Sequence, residues 1–284
     1  MLKCLLVMMV CTVGFTQETR LRIIAFGAHP DDCDLKFGGT ATKLARAGHA
    51  VKFVSITNGD VGHQSMHGAE LARRRAAEAK EAGRRLGIAE YEVLNNHDGE
   101  LLPSLEVRRQ VIRAIRQWNA DVVIAPRPND YHPDHRYTGV LVQDAAYMVV
   151  VPHLVPDAPA LKKNPVFLYY QDAFQKPAPF RPDVVVAIDD VFDTKVHALD
   201  AHVSQFYEWL PWVDGRLAEV PKDPAERKDW LGRQRSDQPG RTVAAALDQR
   251  YGPAAGQFRH VEAFELCEYG RRASLEELQH IFPK

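Results

Sequence analysis

Two short stretches of the chain hold ionisable groups at a density that could do chemistry. One is His29-Pro30-Asp31-Asp32, inside AFGAHPDDCDLKFGG from Ala25 to Gly39. The other is His132-Pro133-Asp134-His135, inside APRPNDYHPDHR from Ala125 to Arg136. Each follows an apolar run and carries a proline, which stiffens a turn and holds its neighbours in place. Two imidazoles and one carboxylate, with a position left over for water, suit a catalytic Zn²⁺. His29, Asp32 and His135 can supply that set. Asp31, His132 and Asp134 then fall to orienting or acid/base roles. A plainer reading stands beside this one, because an aspartate ahead of a helix is usually an N-cap and a single HPD tripeptide means little.

Elements that can position these groups are readable along the chain. LRIIAFG, AVKFVSIT, YEVL, DVVIAP, VFLYY and DVVVAI are strand candidates. Between them, TATKLARAG after the Gly-Gly pair, AELARRRAAEAKEAGRRLG, LEVRRQVIRAIRQW, TGVLVQDAAYMVV and DDVFDTKVHALDAHVSQF read as helices. Strands alternating with helices predict an α/β fold: a Rossmann-like, mostly parallel sheet with helices on both faces. Ligands of such sheets bind beyond the carboxyl ends of the strands, which is where both loaded stretches fall. Neither GxGxxG nor GxxxxGK[ST] occurs, so NAD and ATP are not expected.

After Trp212 the chain turns polar and rich in Pro and Gly. Two pieces there, VEAFELCEYG and SLEELQHIF, read as helical, the second opened by a Ser274/Glu277 capping box. Residues 213–284 are therefore expected as a C-terminal helical appendage on a main domain of residues 21–212. Residues 1–20 read as a secretory leader: Lys3 precedes an apolar run from Cys4 to Val13, and Gly14 and Thr16 can flank a cleavage site. The run is short for a membrane span. Export to the periplasm or beyond follows if this segment is a leader, and a cytoplasmic location if it is not.

Composition limits the partners. With 284 residues, 45% hydrophobic and 26% charged, the chain can bury an ordinary core, and a net charge of -1 offers no basic field for nucleic acid. Cys33 and Cys267 are too few for a disulfide framework, so any metal must be held by histidine and carboxylate. His49, His153, His260 and His280 receive no role. His63 and His67 in VGHQSMHG are a weaker second metal candidate. Phe206, Tyr207, Trp209 and Trp212 in QFYEWLPW can stack on sugar rings, although packing beneath the tail is the reading favoured here.

Taken together, AHPDD followed by GG, with HPDH far downstream, resembles the PIG-L (LmbE-like) family of zinc-dependent N-acetylglucosaminyl de-N-acetylases. Thr57–Gly62 (TNGDVG), Arg75–Glu78 (RAAE), Asp98-Gly99 and Lys195–Gln205 (KVHALDAHVSQ) support the resemblance, which runs from about Arg22 to Gln205. It implies His29, Asp32 and His135 as ligands of Zn²⁺, with Fe²⁺ as the alternative ion. It implies Asp31 as general base, and His132 as oxyanion stabiliser oriented by Asp134. Arg75, Asp98 and, less directly, His202 are implied to contact the substrate. The activity implied is removal of the N-acetyl group from an N-acetylglucosamine-type sugar or glycoconjugate, with assembly of like chains compatible. A departure from the family pattern is Cys33-Asp34 after HPDD, where glutamate is common; a thiol there is open to oxidation or adventitious ligation. Two rivals remain at this stage. One is a non-haem Fe(II) oxygenase built on His29-x-Asp31 with His135. The other is a catalytically silent exported glycan- or metal-binding protein.

Overall fold

The computed structural model describes residues 20–235 and 238–284. The expected leader therefore lies, apart from Arg20, outside the described residues. Among the described residues seven strands form one sheet: β1 (Arg22–Gly27), β2 (Ala50–Thr57), β3 (Glu90–Asn96), β4 (Val122–Ala125), β5 (Val166–Tyr170), β6 (Val184–Ala187) and β7 (Val261–Leu266), in the order β3-β2-β1-β4-β5-β7-β6. The first five strands pair in parallel. β7 runs antiparallel to both β5 and β6.

Strand β1 shows why the sheet must be covered twice. Its side chains alternate, so Ile23 and Ala25 enter one buried cluster while Ile24 and Phe26 enter another. The first cluster is closed by helices α1 (Asp32–Arg46), α2 (Gly68–Leu86) and α5 (Phe192–Leu199), with Phe37, Ala82, Leu86 and Ala198 pointing inward. The second is closed by α3 (Leu105–Trp118) and α4 (Pro133–Met148), through Val111, Ile112, Ile115, Leu141 and Ala145. Among the described residues no helix is long and apolar enough to cross a membrane.

Four sequence expectations change. Helix α1 begins at Asp32, ahead of the Gly-Gly pair, and α4 begins at Pro133 rather than Thr138. The ionisable stretches are therefore helix first turns more than loops. Gly39 sits mid-helix because a Cβ there would lie 2.8 Å from Ile188 Cδ1, so the glycine permits close packing instead of ending the helix. The helix expected over 189–206 is interrupted: α5 ends at Leu199, and a π-helical turn, Ser204–Trp209, runs into α6 (Leu210–Val213). VEAFELCEYG is strand β7 at its start, not helix. Glu262 can occupy a buried strand because its carboxylate accepts from Gly39 N (2.9 Å), Thr40 N (2.7 Å) and Lys195 Nζ (2.8 Å). The segment beyond residue 212 thus contributes an internal strand as well as helices α7 (Pro224–Gln234), α8 (Arg241–Tyr251) and α9 (Leu275–Ile281). The Ser274 cap forms as expected, its hydroxyl accepting from Glu277 N at 3.1 Å.

Candidate active site

Both HPD elements leave the sheet at the carboxyl ends of adjacent parallel strands, β1 and β4, so their helices open side by side. His29 Nδ1 lies 3.2 Å from His135 Nε2, and Asp32 Oδ2 lies 3.6 Å and 3.4 Å from the same two atoms. The remaining ring nitrogens are both occupied. His29 Nε2 faces Asp98 Oδ1 at 3.0 Å and Asp134 Oδ2 at 3.3 Å, and His135 Nδ1 faces Asp130 Oδ1 at 3.2 Å. Those carboxylates take the ring N–H groups, which turns the lone pairs of His29 Nδ1 and His135 Nε2 toward each other. Two lone pairs and a carboxylate oxygen at such separations repel unless a proton or a metal ion lies between them. Bonds of about 2.0–2.1 Å directed tetrahedrally place neighbouring donors about 3.3 Å apart, so the triangle His29–Asp32–His135 fits a zinc-sized ion.

Asp32 also accepts from Ala28 N (2.8 Å) and His29 N (2.9 Å). Burial alone would raise its carboxyl, but His135 and His29 outweigh that and hold it well below the usual range. Asp31 is shifted the other way. Burial first, and then the charge of Asp32, push it up to about 6 against the pull of Arg75. Its φ of 146° is a strained conformation for a side-chain-bearing residue. That backbone kink lets two consecutive aspartates face different partners.

His132 caps α4, and its Nδ1 accepts from Asp134 N at 3.2 Å. A neutral ring then carries its proton on Nε2, as a donor. Burial, with the nearby His29 and His135, lowers its pKa and favours that neutral form. Asp134 orients His132 through its backbone amide. Its carboxylate accepts instead from Gly99 N (2.7 Å) and Leu101 N (3.2 Å) and faces His29.

The three residues expected to meet substrate lie deeper. Arg75 is buried beneath the first turn, donating to Pro30 O and Gly59 O and lying 3.6 Å from Asp31 and 3.7 Å from Asp98. Gly59 leaves the space that Arg75 fills: at φ 70°, a Cβ there would be 2.5 Å from its guanidinium. Asp98 is buried against His29 and Gly62 N. His202 is fully buried 3.3 Å from Asp34 Oδ2, which also accepts from Tyr91 OH at 2.8 Å. These positions brace the loaded turn rather than face solvent. Cys33 also turns away, packed in the core with its sulfur 3.5 Å from Ala25 O and Tyr170 OH, and burial pushes its thiol up. That arrangement keeps the Cys33 thiol from the oxidation or adventitious ligation for which its sequence position left it open. His63 does not form a second metal group: its Nε2 lies 2.8 Å from Glu208, and its Nδ1 accepts from Ser65 N and Met66 N.

Sequence reasoning missed Asp130, Asp34 and Glu208. Asp130 had a local signal, since it stands two residues before His132 and also accepts from His132 N at 2.9 Å. Asp34 and Glu208 find their partners only through the tertiary fold.

Comparison with known proteins bears on the family and the fold. Residues 24–146 match the family model described as PIG-L: GlcNAc-PI de-N-acetylase. The chain is 32% identical over 203 residues to a diacetylchitobiose deacetylase of Thermococcus kodakarensis, covering 67% of this chain and 73% of that one. It is 31% identical over 213 residues to a probable N-acetyl-alpha-D-glucosaminyl L-malate deacetylase 2 of Bacillus cereus, covering 72% and 90%. The solved N,N'-diacetylchitobiose deacetylase of Pyrococcus horikoshii superposes with a TM-score of 0.65 at 28% identity, over 87% of this chain and 84% of the other. Shared fold, sequence identity and family match together make the chain a member of the PIG-L family of de-N-acetylases.

Proposed function

We propose that the protein is a metal-dependent hydrolase that removes the N-acetyl group from an N-acetylglucosamine-type sugar or glycoconjugate, releasing acetate and a free amine. One observation carries the reading: an aspartate held near pKa 6 stands next to a triangle of three metal-ligating donors. The N-acetylglucosamine part of the reading is supported by the names of two relatives, a diacetylchitobiose deacetylase and a probable N-acetyl-alpha-D-glucosaminyl L-malate deacetylase.

We assign His29, Asp32 and His135 to Zn²⁺, with Fe²⁺ as the competing ion. When bound, such an ion acts as a Lewis acid and lowers the pKa of a water toward about 7. The chain's own groups do the rest. Asp31, poised near neutrality, accepts the proton of the attacking water. The Nε2–H of His132 donates to the carbonyl oxygen as negative charge gathers on it, and the Asp134 amide fixes the ring for that task. Asp31 then returns its proton to the departing nitrogen. Arg75 and Asp98 hold Asp31 and His29 in register, and His202 with Asp34 supports the same turn from behind.

The test is acetate release from a panel of N-acetylglucosaminides, using protein stripped of metal and reloaded with Zn²⁺, beside Asp31→Asn. Release that needs zinc and disappears in the variant is the expected outcome. Stoichiometric metal binding with no release from any panel member would favour the silent-binder reading. The oxygenase reading needs Asp31 beside His29 and His135, but Asp32 faces both rings while Asp31 lies 3.6 Å from Arg75. Export remains attached to this proposal through residues 1–20, and N-terminal sequencing of secreted protein tests it.

A further inference from the structure

The aromatic cluster of the π-helical turn divides in two. Phe206 and Tyr207 are buried with Leu199 and Leu231, beneath the C-terminal segment. Trp209 and Trp212 belong to none of the buried clusters. They stack on each other with ring centroids 5.4 Å apart and planes 17° from parallel, and Trp212 is 50% exposed. Packing beneath the tail accounts for the first pair only.

The second pair is fixed against the candidate active site. A Cβ on Gly62 would lie 3.4 Å from Asp98 Oδ2 and 3.5 Å from Trp209 Nε1. Asp98 in turn holds His29. Two further ties keep the turn in place: Gln205 donates to Gly62 O at 3.4 Å, and Glu208 receives Arg74 through both oxygens at 2.7 Å and His63 at 2.8 Å. π-helical turns are rare and often mark functional positions, because the extra residue re-aims side chains. Here the turn ends on Trp209. The indole N–H of Trp209 has no protein acceptor among the described residues, and Val61, beside Gly62, is 49% exposed.

We infer that Trp209 and Trp212 form a sugar-stacking subsite next to the deacetylation centre, which selects substrates with a second pyranose ring attached to the reacting N-acetylglucosamine unit. A pyranose offers a flat C–H face to an indole and hydroxyls around its rim. The partly exposed Arg74–Glu208 ion pair, together with the free indole N–H, matches that mixture. An acyl chain laid there would take that ion pair out of water and offer it no new partner. This inference rests on the deacetylase reading for the identity of the first ring, and its test separates the two.

The experiment is calorimetric binding of N-acetylglucosamine and N,N'-diacetylchitobiose to full-length Asp31→Asn protein, alone and combined with Trp212→Ala, Trp212→Phe or Trp209→Phe. The disaccharide is expected to bind about tenfold tighter than the monosaccharide, the size of a contact worth about 1.4 kcal/mol. Trp212→Ala should remove that preference and Trp212→Phe should keep most of it. Equal binding of the two sugars, or a preference untouched by Trp212→Ala in folded protein, overturns the subsite. Tighter binding of an octyl glycoside than of the disaccharide also overturns it. Acetate release by wild-type protein is measured separately. Release from both sugars at equal kcat/KM, unchanged in Trp212→Ala, removes the subsite and leaves the deacetylase. No release from any sugar, with Trp212-dependent disaccharide binding, removes the deacetylase and supports the subsite.

Discussion

Asp31 and Asp32 are neighbours in sequence with opposite electrostatic fates, and the difference comes from what each oxygen faces. Asp32 meets two imidazoles and two backbone N–H groups; Asp31 meets a buried surface, one guanidinium at 3.6 Å and the charge of Asp32. The pattern of two His and one carboxylate was legible in the sequence because HPDD and HPDH are local strings. The arrangement behind them was less so: Asp134 stands in the same string as His135 and Asp130 only two residues ahead of it, yet Asp98 reaches His29 from a separate segment, and which carboxylate meets which ring nitrogen is decided by the tertiary fold. Asp130→Ala tests that outer layer. Freed from its carboxylate, His135 loses its fixed tautomer, and metal affinity should fall about 10–100-fold in competition with a chelator. His202 gives a pH prediction. Burial would lower its pKa, but the carboxylate of Asp34 outweighs burial and raises it. The folded-state value therefore exceeds the unfolded one of about 6.5, so the pairing contributes its full stability below that pH and loses it as pH rises through the raised value. The Tm difference between wild type and His202→Gln should be largest near pH 5.5 and shrink by pH 9, as followed by circular dichroism.

Among the elements, strands with continuous apolar runs were legible, since burial on both faces demands such runs. β7 was misread because Val261–Leu266 contains two glutamates and helix-forming residues, and its strand identity depends on distant partners. Glu262 is the clearest case. It is acceptable in the sheet only because Lys195 and two α1 amides come to it. Glu262→Ala should cost about 3–5 kcal/mol, the usual result of breaking a buried pair, read as a lowered denaturant midpoint. The early starts of α1 and α4 were hidden for a related reason. Gly38-Gly39 and Pro133 look like helix breaks, yet close packing explains Gly39, and proline suits the first position of a helix.

At the scale of the molecule, the boundary expected at residue 212 divides the sequence pattern but not the sheet. Among the described residues β6 pairs only with β7, and Phe264, Leu278, Ile281 and Phe282 belong to the same buried cluster as Phe37 and Phe53. A chain ended at Val213 should fail to fold, giving no cooperative thermal transition and eluting as aggregate in size-exclusion chromatography. A cooperative, monomeric fragment would show that residues 21–212 are self-sufficient.

The position of β7 also orders events in time. During synthesis the ribosome delivers β1 to β5 in an arrangement that can pair as each strand emerges. β6 emerges with no neighbour to join, because the strand between it and β5 has yet to be made. Until residues 261–266 emerge, both β5 and β6 present open edges, the kind of surface that recruits other chains. Pairing across so long a stretch of sequence is slow as well. The helices between β6 and β7 are thus made while the sheet is still open. The interval before β7 inserts is when this protein most needs a chaperone.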